Sequence, residues 1–533
     1  MVAFCAVYGL IAGRLVQLGL TPDQPSIAYR TAQDAISAAR PDIIDRNGLI
    51  LATDLKTYSL YAEPRRIIDV NEAMIGLISV ITDLPVESTR RRLESEAGFV
   101  WLKREITPEQ RDAVHDLGIP GIGFLTENRR FYPAGQTASH IVGHVDVDNR
   151  GIAGLEKYID AQGLQDLHAV GLGNQRDMKP VRLSMDLRVQ HVVRRELSLA
   201  LERYRAIAGI GIVLDVKSGE VVAMSSLPDY DPNDPVQALD KNRMNRATAG
   251  VFEMGSVFKT FTTAMALDSG RVGLEDRFDA RNPIRIARHR IRDFHAKRRI
   301  LSVPEVFIYS SNIGTAKMAQ EVGVDGHRDF LQRIGMLDRL DSELPERAPP
   351  LKPREWTQLG SMTISFGHGL SVTPMHTAAA AAALVNGGKL LPPTFMSRDD
   401  AEIAEAGAQV ISPGTSHAMR YLFRLNAEKG SGRRAEVDGY LVGGKTGTAE
   451  KVVDGRYSGD KRFNSFLAAF PMDDPRYVVL VVLDEPKPEP GKHSATAGLN
   501  TAPTTANIIR RIAPMLGVKP RFGKDSQTIM VSY

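Results

Sequence analysis

The chain is almost without cysteine. Cys5 is the only one in 533 residues, and it lies in the apolar N-terminal stretch. Nothing after it can build a disulfide framework or a thiolate metal site. A cysteine-free body is compatible with an oxidising compartment. Charge of one sign is also scarce in excess: 67 Lys and Arg stand against 63 Asp and Glu, a net charge of +4. That balance is too even to argue for a nucleic-acid partner. The 12 histidines lack a paired metal-ligand spacing, so no metal is expected, and nothing points to a cofactor. No internal repeat is present.

Long apolar runs are few. The start reads MVAFCAVYGLIAGRLVQLGL, uncharged through residue 13 and then interrupted by Arg14 and Gln17. A membrane span needs about 20 apolar residues, and no basic residues precede this run as a signal peptide or positive-inside anchor requires. A buried helix is one reading. The preferred expectation is a membrane anchor over residues 1–20, truncated at its cytoplasmic start. With Arg14 at the far interface, the body would lie outside the cytoplasm.

What is present suggests an α+β chain of more than one domain. Residues 21–39 read as a connector. RPDIIDRNGLILATDLKTYSLYAEP (40–64) alternates around Asn47-Gly48, a hairpin signal. VNEAMIGLISVITDL and PVESTRRRLESEAG have helical spacing. Short strands and turns follow over 119–185. Nothing in 21–185 gathers a nucleophile, a base and an orienting group, so this part is expected to be a non-catalytic α+β module. From 186 the pattern changes to a long amphipathic helix (187–205), two strands turning at Ser218-Gly219, helices over 256–385, two late strands near 463–470 and 477–483, and a closing helix near 501–516. The domain is expected to span 186–517, with a central sheet and flanking helices. The polar tail 518–533 is expected to be loose. The basic run RNPIRIARHRIRDFHAKRR (281–299) has strand-like Ile284, Ile286 and Ile291 and no aromatic ladder, so it reads as a solvated strand edge.

GYLVGGKTGTAEK (439–451) matches the phosphate-loop pattern, and YVVLVVLDEP (477–486) resembles an apolar strand ending in magnesium-binding acids. A phosphate loop needs a strand before its first glycine and a helix at its Lys-Thr. Here KGSGRRAEVD precedes Gly439, Tyr440-Leu441-Val442 look strand-like inside the loop, and VVDGRYSGDKR after it is turn chemistry. The preferred reading is a strand over 440–449 that presents Lys445, Thr446 and Thr448 at a cleft edge. A lysine and two hydroxyls there suit a substrate carboxylate.

FEMGSVFKTFTTAMALDSG (252–270) holds Ser256-x-x-Lys259 at the start of an apolar helix. Residues three apart share a helix face, so the two side chains can touch. A serine hydroxyl needs a base to take its proton. Lysine serves if burial or a second cation, for which Lys445 is the candidate, lowers its pKa. The helix start offers N–H groups to an oxyanion. A second such pair, Ser458 and Lys461 in SGDK, sits in a polar turn without a helix. In EVFIYSSNIGTAKMAQEVG (305–323), Ser310-Ser311-Asn312 lies between two helices. It reads either as a helix cap or as a proton relay, Ser310, with the Asn312 amide holding substrate backbone.

Ser-x-x-Lys, Ser-x-Asn and Lys-Thr-Gly in that order resemble the signature of penicillin-binding proteins and serine β-lactamases. RPDIIDRNGLILA, RRFYPAGQTASHIVGHVD (129–146) and GIAGLEKYID (151–160) are similar to pedestal segments of class B penicillin-binding proteins. SFGHGLSVTPMHTAAAAAALVNGG (365–388) and SFLAAFPMDDPRYVVLVVLDEP (465–486) resemble transpeptidase-domain segments. Within class B the division-specific septal enzyme is the nearer resemblance and the elongation-specific one the alternative. Met254, where proline is common, and SATAGLNTAP (494–503), where a double glycine is usual, depart from the pattern. The resemblance implies a D,D-transpeptidase acting on peptidoglycan stem peptides, a D-Ala-D-Ala donor and an amine acceptor. Ser256 would be the nucleophile and Lys259 the base, with Ser310, Asn312 and Lys445 completing the catalytic set. Thr446, Gly447 and Thr448 would bind substrate, and the N–H groups of Ser256 and Thr448 would form an oxyanion hole. It further implies inhibition by β-lactams, a single-pass inner-membrane location with a periplasmic catalytic domain, and division-membrane partners including a septal glycan polymerase. A β-lactamase, an idle β-lactam sensor and an ATPase are the competing readings.

Overall fold

A computed structural model describes residues 39–164, 178–286, 289–453, 456–523 and 529. The expected anchor and connector lie outside the described residues. Among the described residues no helix is long and apolar enough to cross a membrane.

The chain divides into two compact units, one holding 55–129 and the other 39–54 with 130 onward. This division does not fall at the expected 185/186. The reason is a buried ionic cluster inside the larger unit. Arg40 Nε meets Glu156 at 2.8 Å and its Nη1 meets Asp160 at 2.6 Å. Arg130 reaches Asp54 at 3.0 Å and Glu156 at 2.6 Å. Burying such charges is tolerable only when they are paired, and removing one partner of such a pair costs about 3–5 kcal/mol. The cluster therefore ties the 40–54, 130 and 156–160 segments to the larger unit.

In the smaller unit, the later part of strand Ile50–Ala62 pairs with Val100–Ile106 and with Ile122–Phe131. Helices Val70–Val80, Val86–Leu93 and Pro108–Asp116 cover it, with Leu60, Met74, Leu77, Leu93 and Leu102 in the core. Two of these helices start where the sequence puts caps. Asp69 accepts from the N–H groups of Asn71 and Glu72, and Thr107 forms a capping box with Gln110.

The larger unit is built on a five-stranded antiparallel sheet. Its strands are β1 (Ala208–Asp215), β2 (Val221–Leu227), β3 (Gly443–Val453), β4 (Arg456–Phe470) and β5 (Tyr477–Asp484), in the order β3-β4-β5-β1-β2. Both faces are covered, so β5 is apolar at nearly every position rather than at alternate ones. Val479 and Val481 pack with helices α1 (Leu187–Tyr204) and, later in the chain, Thr501–Met515. Val478, Leu480 and Val482 pack on the other side with the alanine-rich helix Pro374–Val385 and with α2 (Phe258–Asp268). The helix long enough to carry the first motif is thus pinned to the sheet by Phe258, Phe261 and Met265.

Three expectations need correction. Tyr440-Leu441-Val442 are not strand: Leu441 turns at φ +44° and β3 begins at Gly443. The stretch 456–462 is strand rather than turn, because the β3–β4 hairpin continues with Lys451 opposite Ser458. Part of the tail is packed. Val518 is buried, the Arg521 N–H donates to the Gly439 carbonyl, and Arg521 pairs with Asp473.

Candidate active site

The three motifs arrive at one place from three elements. Gly255–Val257 form a single tight turn that runs into α2, and this sets Ser256 at the helix start and Lys259 one turn on. Helices Val303–Tyr309 and Asn312–Val322 meet at Ser310, which takes the left-handed conformation (φ +56°) to reverse the chain. A non-glycine residue there costs about 1–2 kcal/mol. Strand β3 ends the sheet and brings in Lys445, Thr446 and Thr448. Ser256, Lys259, Ser310, Asn312, Thr446 and Thr448 all line one cleft of about 530 Å³.

Lysine chemistry dominates the floor. Lys259 Nζ donates to the Ser310 carbonyl at 2.5 Å and to its hydroxyl at 3.0 Å. Lys445 Nζ donates to the same hydroxyl at 3.0 Å and to the Thr446 carbonyl at 3.2 Å. Ser310 Oγ therefore bridges the two amines. Both lysines are buried. Burial, and then the charge of Lys445, holds Lys259 well below the usual lysine range. Burial lowers Lys445 to about 7. Ser256 Oγ has no hydrogen-bond partner among the described residues; the lysine that sequence spacing set beside it is turned to Ser310. Catalytic contacts of this kind often tighten only when substrate is bound.

The backbone of β3 supplies the other half. The Gly444 carbonyl accepts from Asn426 Nδ2, and the Thr446 carbonyl from Lys445. Even-numbered residues therefore turn their backbone groups away from β4, and the register stays regular to Glu450. By that alternation the Thr448 N–H also faces outward, toward the turn that carries Ser256. The Thr446 hydroxyl shares a hydrogen bond with Ser431 Oγ at 2.7 Å, and the Thr448 hydroxyl accepts from the Ala497 N–H at 3.2 Å, which leaves its own proton to donate. Asn312 Nδ2 donates to the Arg292 carbonyl. Gly447 is a spacer. A Cβ there would stand 2.4 Å from Ser465 Oγ and 2.6 Å from the Met254 carbonyl. Gly447→Ala is expected to push β3 off the Ser256 turn and slow acylation of Ser256 about 100-fold. Intact-mass kinetics measures it, with circular dichroism checking that the fold is kept.

Several residues here were not legible as site residues. Asp293 accepts from Ser311 Oγ and the Ile313 N–H, so it caps the second helix and opposes the lowering of Lys259. Its signal was a lone acid inside the basic run, part of which forms the small hairpin Ile284–Ile286 with His289–Ile291. Asn426 and Ser431 hold β3 from behind. Arg433, Arg434, Arg462, His368 and Glu450 also line the cleft.

The phosphate-loop pattern is a coincidence of spacing, since Gly444, Lys445 and Thr446 lie inside an edge strand with no helix after them. Asp484 and Glu485 both pair with Lys451 at 2.9 Å. Among the described residues no group of three or more His, Cys, Asp or Glu is placed to hold a metal.

Known proteins are similar to this chain over most of its length. The profile of the penicillin binding protein transpeptidase domain matches residues 209–510, and that of the penicillin-binding protein dimerisation domain matches 35–171. The chain is similar to the probable peptidoglycan D,D-transpeptidase FtsI of Caulobacter vibrioides, 39% identical over 494 residues that cover 91% of this chain and 82% of that one. It is 34% identical to the probable peptidoglycan D,D-transpeptidase PenA of Neisseria gonorrhoeae over 508 residues, 91% and 86% of the two chains. It is 31% identical to the stage V sporulation protein D of Bacillus subtilis over 516 residues, 90% and 79%.

Proposed function

The chain belongs to the penicillin-binding protein transpeptidase family, and from that premise we propose that Ser256 is its acylated nucleophile, served by Lys259, Ser310 and Lys445. The protein is a class B penicillin-binding protein, a serine D,D-transpeptidase that cross-links peptidoglycan and binds β-lactams. One observation carries the residue assignment: the hydroxyl of Ser310 is held between two buried amines in the cleft that Ser256 lines.

The steps follow from the chemistry of those groups. A lysine held below its usual range has a free base at neutral pH, so Lys259 takes the Ser256 proton as Oγ attacks the penultimate D-Ala carbonyl. The oxyanion forms against the N–H groups of Ser256 and Thr448. The proton returns through Ser310 to the leaving D-alanine amine. Thr446 and Thr448 donate to the terminal carboxylate, Gly447 keeps the strand close, and Asn312 holds the donor backbone through its amide. Lys445 supplies the positive field, and Arg433 and Arg434 extend it along the cleft rim. The acceptor amine then displaces Ser256 Oγ and forms the cross-link.

The septal role rests on the resemblance of the pedestal and late-strand segments and agrees with the similarity to FtsI. With it goes the reading of a catalytic domain in the periplasm, carried by a single-pass inner-membrane anchor over 1–20, beside division proteins including a glycan polymerase. A pedestal over 21–185 and a transpeptidase domain over 186–517 complete this architecture. A β-lactamase needs an efficiently activated deacylating water, which class A enzymes activate with a carboxylate. Among the residues lining the cleft Glu450 is the one carboxylate, and it lies beside Arg462 in the hairpin register. Benzylpenicillin is therefore expected to add once per chain and to stay. The time course of intact mass tests this: a persistent adduct supports the transpeptidase, and rapid loss with repeated penicillin consumption would move the chain to the β-lactamases.

A further inference from the structure

One wall of the cleft carries a histidine that the three motifs do not use. Gly367 lies directly on the turn before the nucleophile: a Cβ on it would stand 2.0 Å from the Gly255 carbonyl. His368 follows Gly367, so its ring is one residue from the point where the two backbones touch. Its Nδ1 is 3.0 Å from Glu253 Oε2. Glu253 is itself fixed, since its Oε1 accepts from the Gly369 N–H at 2.7 Å and from the Tyr457 hydroxyl at 3.2 Å. The imidazole stands edge-on to Phe366 and Tyr457, with ring centres 5.8 and 5.3 Å away. Glu253 is the more buried partner, 16% exposed against 28% for His368. A carboxylate on Nδ1 holds the proton there and leaves the lone pair on Nε2. Nε2 has no partner among the described residues, and the side chain lines the cleft.

The second half of the reaction has a use for such a group. The acceptor is an amine, and an alkylammonium titrates near 10.4, so at neutral pH fewer than about one in a thousand is free to attack. Two protons must leave it: one before attack and one during it. The Ser310 bridge suits the second, because it can pass that proton to the departing Ser256 Oγ. It suits the first badly, because Lys445, which supplies the positive field beside it, repels an incoming cation. The His368 wall has the opposite sign. Burial, and after it the carboxylates of Glu253 and Glu450, push the Tyr457 phenol up to about 12. Arg462, in register with Glu450, is the cation on that side.

We propose that His368, backed by Glu253 and Tyr457, forms the acceptor subsite, and that His368 Nε2 takes the first proton from the acceptor ammonium. This rests on Ser256 being the acylated nucleophile. The ammonium gives a proton to Nε2, and the half-exposed imidazolium releases it to water. The neutral amine forms the new C–N bond as the Ser256 C–O bond breaks, and its second proton goes through Ser310 to Oγ. His368 is a catalytic residue in this scheme and Glu253 a positioning residue.

The test uses the full chain with a small N-acyl-D-alanyl thioester as donor and D-alanine as acceptor, measuring aminolysis and hydrolysis together, with benzylpenicillin acylation in parallel. In His368→Gln the aminolysis-to-hydrolysis ratio is expected to fall about 100-fold. The pH profile of aminolysis should move to alkaline pH and follow the titration of the amine. Glu253→Gln, which keeps an acceptor for Nδ1–H, is expected to lose about 10-fold in the same ratio. A ratio unchanged in His368→Gln overturns the proposal. So does a parallel fall of aminolysis, hydrolysis and penicillin acylation in both variants, which a merely structural role would give. If the wild-type chain takes neither penicillin nor thioester, the nucleophile assignment itself has failed, an outcome distinct from a loss confined to the variants.

Discussion

Ser256→Ala is expected to abolish the covalent benzylpenicillin adduct and to lower transpeptidation by about 10⁴-fold or more. No other described hydroxyl lies at the start of a helix with a buried lysine one turn on. The substitution is also clean. Ser256 is partly exposed and its hydroxyl bonds to nothing among the described residues, so the fold loses no contact and unfolding is expected to change by less than about 0.5 kcal/mol. Ser458→Ala is the control. The second Ser-x-x-Lys lies where the hairpin register shifts, with no helix turn to bring the two side chains together, and Ser458 sits opposite Lys451 in the hairpin. It should keep the adduct in full. Intact mass of the three proteins after brief exposure decides the matter. An adduct on Ser256→Ala, or none on folded wild type, would end the assignment.

The second large effect is predicted for Lys259→Met, with activity and stability moving in opposite directions. Removing the base is expected to slow acylation by about 10²–10⁴-fold. Methionine matches the length of the lysine stem and never carries a charge, so folding no longer has to strip a proton from this position. The sign follows from the protons bound. Lys259 sits well below its usual range and Lys445 near 7, while the unfolded chain keeps both protons to about 10.4. Between those values the unfolded state binds more protons, so wild-type stability rises with pH; it is lost as pH falls through the folded values. The variant should melt about 2 °C or more above wild type at neutral pH, with a flatter dependence on pH between 7 and 10. Thermal scans across that range, beside penicillin acylation rates, test both halves. A variant that loses acylation but melts lower would mean that the bonds to Ser310 outweigh the cost of deprotonating Lys259 on folding.

The proposed catalytic set was readable because each motif is local. Ser256 and Lys259 are three residues apart, Ser310 and Asn312 flank one helix start, and Lys445 to Thr448 run along one strand. The sheet was readable for a related reason, since YVVLVVL can only be a strand covered on both faces. What stayed hidden depends on distant partners. Tyr440-Leu441-Val442 alternate like a strand, yet Arg424 takes the Val442 carbonyl and Leu441 turns left-handed, so the strand starts later. The polar RYSGDKR looked like a turn because a hairpin that outruns its covering helices is solvated. Asn426 sits mid-helix and Asp293 in a basic run, and only the tertiary fold shows that one holds the edge strand and the other the helix start behind Ser310. The division of the chain was hidden in the same way. Arg40, Asp54, Arg130, Glu156 and Asp160 are spread over 120 residues and carry no common pattern.

The edge position of β3 sets how much of a peptide the sheet can measure. An open strand edge is a template for any extended chain and a hazard for aggregation. Here its first outward carbonyls are already taken by Asn426 and Lys445, and beyond Glu450 the register slips. What remains free is a ruler about one dipeptide long. A stem peptide can be gauged in backbone and chirality only over its last two residues, and everything upstream must pass unread by the sheet. One such edge can therefore serve walls whose stems differ upstream, provided that they end alike.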